Sequence, residues 1–332
     1  GCAGSTFDLY VTVNPTSSIT SPMTVNWCNN VSNTYNITSS TTPTPDYTWS
    51  RAAVAGITNL AAAGTGATIT ETLENTTTNP VVVTYVITPY VGGFPGTAAF
   101  VAVTVNPTSV VTSPTTANWC NSIANTYLVT SSSLTPPPAY AWSRAAVAGI
   151  LPATGSGNGS SITETLTNST TEPIQVNYVI TPSVNSCSGT PKTITVTVNP
   201  TSVITSPGAA NWCNNVSNTY NITSSSASPT PNYTWTRASV AGITPATGSG
   251  SGAAITETLS NSTTNPIQVA YVITPTVNSC NGTPKTVTVT VNPTAVITSP
   301  ATANWCHNTS SSYNITSSTT PTPVFTWSRA SV

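Results

Sequence analysis

The sequence predicts an all-β chain: β-sandwich modules of about 93 residues set end to end as an extended rod. Three observations predict it. First, landmarks recur at one period. Val-Asn-Pro places its proline at Pro15, Pro107, Pro200 and Pro293, and Asn-Trp-Cys places its tryptophan at Trp27, Trp119, Trp212 and Trp305. Trp-Ser/Thr-Arg-Ala places its tryptophan at Trp49, Trp142, Trp235 and Trp327, and every one of these spacings is 92 or 93. Second, apolar and polar residues alternate with period two, the signature of half-buried strands. Third, helical periodicity is absent, and 28 prolines would break most helices.

The elements can be followed through one period. The run 193–198 alternates fully, with Ile194, Val196 and Val198 on one face and three threonines on the other. The strand before it sets Ile174, Val176, Tyr178 and Ile180 on one face. Residues 126–131, 140–144 and 161–166 are short β-branched and aromatic runs bounded by Ser, Pro and Gly clusters. With 109–112 and a weaker run at 147–150, the count is about seven strands, which fits a two-sheet sandwich of immunoglobulin type. The Gly-rich stretches 155–159 and 248–252 read as loops, and the Asn-Trp-Cys segment reads as a turn between the first two strands.

The register divides the chain into 1–14 (the last strand of a preceding repeat), 15–106, 107–199, 200–292 and 293–332 (the first part of a further repeat). The opening residues Gly1-Cys2-Ala3-Gly4 carry no signal-peptide pattern. The simplest expectation is a window on a longer array. Val-Asn-Pro-Thr joins the modules without a Gly/Ser linker, so each adds roughly 30–45 Å to a semi-rigid line.

Composition closes off several function classes. Charged residues are 4% of the chain, six basic and seven acidic. Nucleic acid binding needs a basic stripe that six cations cannot supply. No apolar run reaches the roughly 18 residues of a membrane helix. The one histidine, His307, stands where other repeats have Asn, so no Ser-His-Asp or Cys-His set recurs, nor does a facing carboxylate pair. No catalytic residue, metal site or cofactor is therefore expected. The glycine runs lack the Gly-Lys-Ser/Thr of a phosphate loop, and Asp8, Asp46, Glu74 and Glu172 are too scattered for calcium.

The stretch at 47–57 (Tyr-Thr-Trp-Ser-Arg-Ala-Ala-Val-Ala-Gly-Ile) is followed by Ile-Thr-Glu-Thr-Leu at 69–73 and Val-Thr-Tyr-Val-Ile-Thr-Pro at 83–89. Together with Asn185-Ser186-Cys187 and Asn278-Ser279-Cys280, this combination resembles the PKD-like repeats of giant Bacteroidetes cell-surface proteins. The resemblance runs over the whole chain. It implies an immunoglobulin-like sandwich in a very large exported protein, often a type IX secretion substrate such as a gliding-motility adhesin. It carries no catalytic residues. Phe94 departs from it, standing where Cys187 and Cys280 stand.

Seven cysteines fall in two classes: Cys28, Cys120, Cys213 and Cys306 follow tryptophan, and Cys2, Cys187 and Cys280 lie near the last hairpin. Two classes at fixed spacing point to disulfides and an oxidising compartment, whereas metal ligation lacks CxxC spacing and histidines. The favoured bonds lie within repeats, Cys120–Cys187 and Cys213–Cys280, leaving Cys28 free beside Phe94. Bonds between successive repeats, Cys28–Cys187 and Cys120–Cys280, are the alternative.

Arginine and glutamate recur together: Arg51 with Glu71, Arg144 with Glu164, and Arg237 with Glu257. They read as ion pairs inside each sandwich, clamping two strands. Trp49, Trp142 and Trp235 read as core fillers. Trp27, Trp119, Trp212 and Trp305 read as caps at module junctions or, as the alternative, sugar-stacking platforms. The expected partners are neighbouring repeats of a longer chain, other copies in a filament, or a surface polysaccharide, with no nucleic acid and no membrane insertion. The expected function is the stalk of an extracellular cell-surface adhesin, serving gliding motility or surface attachment. A self-assembling extracellular filament or sheath and a carbohydrate-binding array are the alternatives.

Overall fold

The computed structural model describes every residue except Cys2, Leu134, Ala227 and Val332. Cys2, grouped above with the hairpin cysteines, therefore lies outside the described residues. Three tandem β-sandwiches are built on one plan. In the first, the strands are β1 (Thr24–Cys28), β2 (Ser32–Asn36), β3 (Asp46–Arg51), β4 (Ala62–Thr65), β5 (Thr68–Thr72), β6 (Val81–Val91), β7 (Phe94–Pro95) and β8 (Ala99–Asn106). One sheet runs β1-β8-β6-β3-β4, with β7 folded back on β6, and the other is the pair β2-β5. The second and third repeats reproduce this order.

The alternation in sequence becomes burial. Val101 and Val103 of β8 lie opposite Tyr85 and Val83 of β6, and with Val105 and Ile87 they are buried in the sandwich. Ile69 and Leu73 close it from the smaller sheet. Outside, threonines pair across strands through their hydroxyls, as Thr126–Thr163 does at 2.9 Å and Thr219–Thr256 at 3.0 Å. A surface wetted by hydroxyls and amides needs no charge to stay hydrated.

Three local expectations are corrected. The Asn-Trp-Cys segment is a strand rather than a turn: β1 runs parallel to β8, with Trp27 opposite Val105 and Cys28 opposite Asn106. Its alternation is short, with Val25 and Trp27 facing inward between the outward Thr24 and Asn26, and only Trp27 is large and buried. The Gly-rich stretches are also strands. Gly155–Asn158 and Gly248–Ser251 pair with the Trp-Ser/Thr-Arg strands, placing Gly157 opposite Trp142 and Gly250 opposite Trp235. A side chain there would collide with the indole, since a Cβ on Gly157 would lie 2.7 Å from the Trp142 ring. Finally, 109–112 contributes only bridges, Val110 to Thr190 and Val111 to Ser131, where the incoming chain passes from one sheet to the other.

The segments at the two ends differ from the complete repeats. Residues 3–14, expected as a strand, form none and expose Phe7, Tyr10 and Val13. Their counterparts Ala99–Asn106 lie between two partner strands, which residues 3–14 lack. Residues 293–331 likewise form no strand, and Trp305 and Trp327 are exposed.

Candidate functional site: the clamp and the junction

Each sandwich is locked by a charged clamp. Arg51 on β3 and Glu71 on β5 belong to different sheets, and the guanidinium meets the carboxylate through two bonds, Nε–Oε2 at 2.8 Å and Nη2–Oε1 at 2.9 Å. The Tyr85 hydroxyl of β6 donates to the same carboxylate. In the second repeat Arg144 and Tyr178 both donate to Glu164. In the third, Arg237 reaches Glu257 through longer bonds, Nε–Oε2 at 3.1 Å and Nη2–Oε1 at 3.3 Å, and Tyr271 donates to the same carboxylate.

The two halves of the clamp are not equally enclosed. The arginine side chains are 0–2% exposed, whereas those of Glu71, Glu164 and Glu257 are 16%, 13% and 13% exposed. The pairs expected inside each sandwich thus join a buried arginine to a partly exposed Glu71, Glu164 or Glu257. Each projects from a sheet of only two strands, too narrow to cover the carboxylate on every side. The glycine-rich strand makes room for it, since a Cβ on Gly248 would lie 2.5 Å from Oε1 of Glu257. Arg144 and Arg237 spend their remaining donors on the carbonyls of Pro152 and Ala153, and of Pro245 and Ala246. The first repeat reads Asn59-Leu60 in place of those residues, and Nη1 of Arg51 has no partner among the described residues.

Electrostatics follows from this enclosure. Burial pushes the Tyr85, Tyr178 and Tyr271 hydroxyls well above their ordinary value, and the carboxylate each one bonds pushes them further. Burial would also raise the Glu71 carboxyl, but hydrogen bonds from Arg51 and Tyr85, with the Arg51 charge, outweigh it and hold Glu71 below its ordinary value.

The tryptophans change places relative to expectation. Trp27, Trp119 and Trp212 are core residues, 3–4% exposed, packed edge-on or tilted against Tyr85, Tyr178 and Tyr271 at 5.6–5.8 Å. They neither cap a junction nor offer a stacking face, because β1 turns them inward against β8. Of the four Asn-Trp-Cys tryptophans only Trp305, in the strandless 293–331, is exposed. Trp49 and Trp142 are half-buried over their facing glycines, while Trp235 is buried.

The cysteines join neighbouring repeats. Cys28 is bonded to Cys187 and Cys120 to Cys280, with sequence separations of 159 and 160. Cys120–Cys187 and Cys213–Cys280, the bonds expected within repeats, do not form, and Cys213 is free and exposed. Nor is Cys28 left free beside Phe94. The parallel pairing of β1 with β8 explains this. It carries Cys28 to the pole where β8 leaves the module, next to Asn106, instead of to the pole where the module's own hairpin lies.

Across that pole the following repeat presents the hairpin Val184–Cys187, whose turn residues Asn185 and Ser186 both have positive φ (46° and 67°). Two left-handed residues in a two-residue loop make the tight hairpin turn that Asn favours. The Asn185 amide donates to Oδ1 of Asn106 at 2.7 Å, and Asn278 does the same to Asn199. Asn106 in turn donates to the Trp27 carbonyl. Asn29 holds the exit segment through Thr108, as Asn121 does through Thr201 and Asn214 through Thr294. The same hairpin grips its own incoming strand, with Thr190 N–H donating to the Ser109 carbonyl. Gly189 allows this approach, since a Cβ there would lie 2.2 Å from that oxygen. Each of the two junctions between complete repeats is thus one disulfide surrounded by an asparagine network.

Sequence reasoning missed those asparagines. The signal was present: Asn precedes the landmark proline four times, at Asn14, Asn106, Asn199 and Asn292, and that landmark was read only for its proline. Among the described residues no three His, Cys, Asp or Glu side chains converge as metal ligands, and no helix is long and apolar enough to cross a membrane.

The PKD-like domain family model matches residues 25–109, 114–202 and 210–295. No curated protein matches the chain. Among solved structures, Sidekick-1 immunoglobulin domains 1-5 are 14% identical with a TM-score of 0.31, over 83% of this chain and 58% of that one. The I-band fragment I67-I69 from titin is 9% identical with a TM-score of 0.34, over 81% of this chain and 94% of that one. The chicken CNTN1 FN1-FN3 domains are 8% identical with a TM-score of 0.35, over 82% and 96%. With the family model covering most of the chain in three successive matches, this protein belongs to the PKD-like domain family as a tandem array.

Proposed function

We propose that this chain is a load-bearing stalk segment of a large extracellular protein that projects an adhesive tip from a cell surface, in attachment or gliding. Its role is structural rather than catalytic. The observation that supports this reading is the position of the disulfides, Cys28–Cys187 and Cys120–Cys280, between successive repeats. A bond inside a module stabilises that module, whereas a bond across a junction stiffens the line. Disulfides persist in oxidising compartments, which supports a site of action outside the cytosol. The near-uncharged surface suits the same setting, because its hydration changes little with salt. The carbohydrate-array reading loses three of its four residues, since Trp27, Trp119 and Trp212 are enclosed.

The test is electron microscopy of the producing cells with gold-labelled antibody against the segment. Label spaced along thin single projections is the expected result. Label inside the cell refutes the proposal, and label along multi-chain fibres favours a filament in its place.

A further inference from the structure

We propose that the corner formed by Cys213 and Asn292 is a socket for the Asn-x-Cys hairpin of the next module, the one whose opening residues are 293–332, and that the two close a third disulfide. This deepens the stalk reading by naming the partner at its open junction. Three observations on that corner carry it. Cys213 ends a strand in the register of Cys28 and Cys120, opposite Asn292 as they lie opposite Asn106 and Asn199. The supporting bonds are already made: Asn292 donates to the Trp212 carbonyl and Asn214 to Thr294, as at the two closed junctions. What is missing is the hairpin half. Cys213 is an exposed thiol, and Oδ1 of Asn292, whose counterparts Asn106 and Asn199 accept from Asn185 and Asn278, has no partner among the described residues.

The occupant follows from the same geometry. At both closed junctions the hairpin comes from the module directly following in the chain, 159 or 160 residues after the strand cysteine. In a second copy of the chain Cys187 and Cys280 are bonded and the first repeat has Phe94, so Cys2 is the one hairpin-class cysteine left to compete, and a Cys213–Cys2 bond between chains would overturn this choice of occupant. The bond forms by exchange with a small disulfide such as oxidised glutathione. The Cys213 thiolate attacks it and releases one thiol, and the hairpin thiolate then attacks the Cys213 sulfur and releases the second. Two protein thiols are oxidised, one small disulfide is reduced to two thiols, and the two protons protonate the leaving thiolates.

Arg329-Ala330-Ser331-Val332 aligns with Arg237-Ala238-Ser239-Val240, so copying residues 241–292 after Val332 completes a fourth module. After oxidation in a glutathione buffer, peptide mapping without reduction should join Cys213 to the copied Cys280. Asn292→Ala should lower the equilibrium constant of that bond about fivefold, the effect of one lost hydrogen bond. A copied cysteine joined to Cys306, or a free Cys213 beside intact Cys28–Cys187 and Cys120–Cys280, overturns the socket alone. Absence of those two bonds would overturn the stalk reading as well.

A second measurement needs no added module. A synthetic hairpin of residues 180–191, its cysteine activated as a mixed disulfide, is offered to the 332-residue chain. Capture at Cys213 at least tenfold faster than at Cys306 is expected, and equal rates overturn the proposal.

Discussion

At the scale of single residues, what matters most is a charge enclosed where water cannot reach it. The Arg144 side chain is fully buried and Glu164 neutralises it across two sheets. Such a pair is not stabilising by its nature, since desolvation offsets much of the attraction, but breaking it strands a charge. Glu164→Gln should therefore destabilise the second repeat by about 3–5 kcal/mol. Denaturant unfolding should then show an early transition of about one third of the total amplitude; an unchanged curve would remove the clamp from the account.

The same residues set the pH response. The buried tyrosines keep their protons in the folded chain to higher pH than in the unfolded one, where they ionise near pH 10. Their contribution is thus complete below about pH 10 and is lost as pH rises beyond it. Thermal melts should show a falling midpoint above about pH 10, reduced when Tyr85, Tyr178 and Tyr271 are replaced by Phe. Glu71 has the opposite sign, being held below its ordinary value, so its contribution is present above about pH 4.5 and is lost in acid.

At the scale of elements, strands whose buried residues alternate were legible and strands with another logic were not. The run 193–198 announces itself because Ile194, Val196 and Val198 alternate with threonine, and the structure extends it to Lys192–Asn199. Gly155–Asn158 carries no apolar residue, so no period could reveal it. Its burial comes from the neighbouring strand, where Trp142 lays its ring over Gly157. Gly157→Val, a good strand former in isolation, should cost about 1–3 kcal/mol through overpacking, measurable as an earlier unfolding midpoint of the second repeat. Likewise β1 shows one buried tryptophan with only Val25 beside it on the inner face, and its parallel pairing is a nonlocal fact that a short window does not contain. The Arg–Glu spacing was legible because charge is so scarce here that any recurrence stands out. How far Glu257 and its counterparts reach toward solvent was not, because it depends on the width of a sheet assembled from distant segments.

At the scale of the whole molecule, the two disulfides reroute the backbone. The shortest covalent path leaves residue 28, crosses to 187, returns to 120, crosses to 280 and runs on, bypassing 29–119 and 188–279. Roughly 180 residues are thereby shielded from load, about 600 Å of extension at ~3.3 Å per residue. Pulling single oxidised chains by their ends should stop about that much short of the reduced chain. Equal final lengths would mean that the bonds do not form between repeats in solution.

The two disulfide-closed loops overlap, because Cys120 lies inside the span from Cys28 to Cys187. Enzymatic cutting of any one peptide bond between residues 28 and 280 therefore leaves both fragments tethered. A protease-nicked sample should run as a single band on a denaturing gel and fall into two only after reductant is added. For a stalk of the kind proposed, this is tolerance to damage: a severed backbone goes on holding.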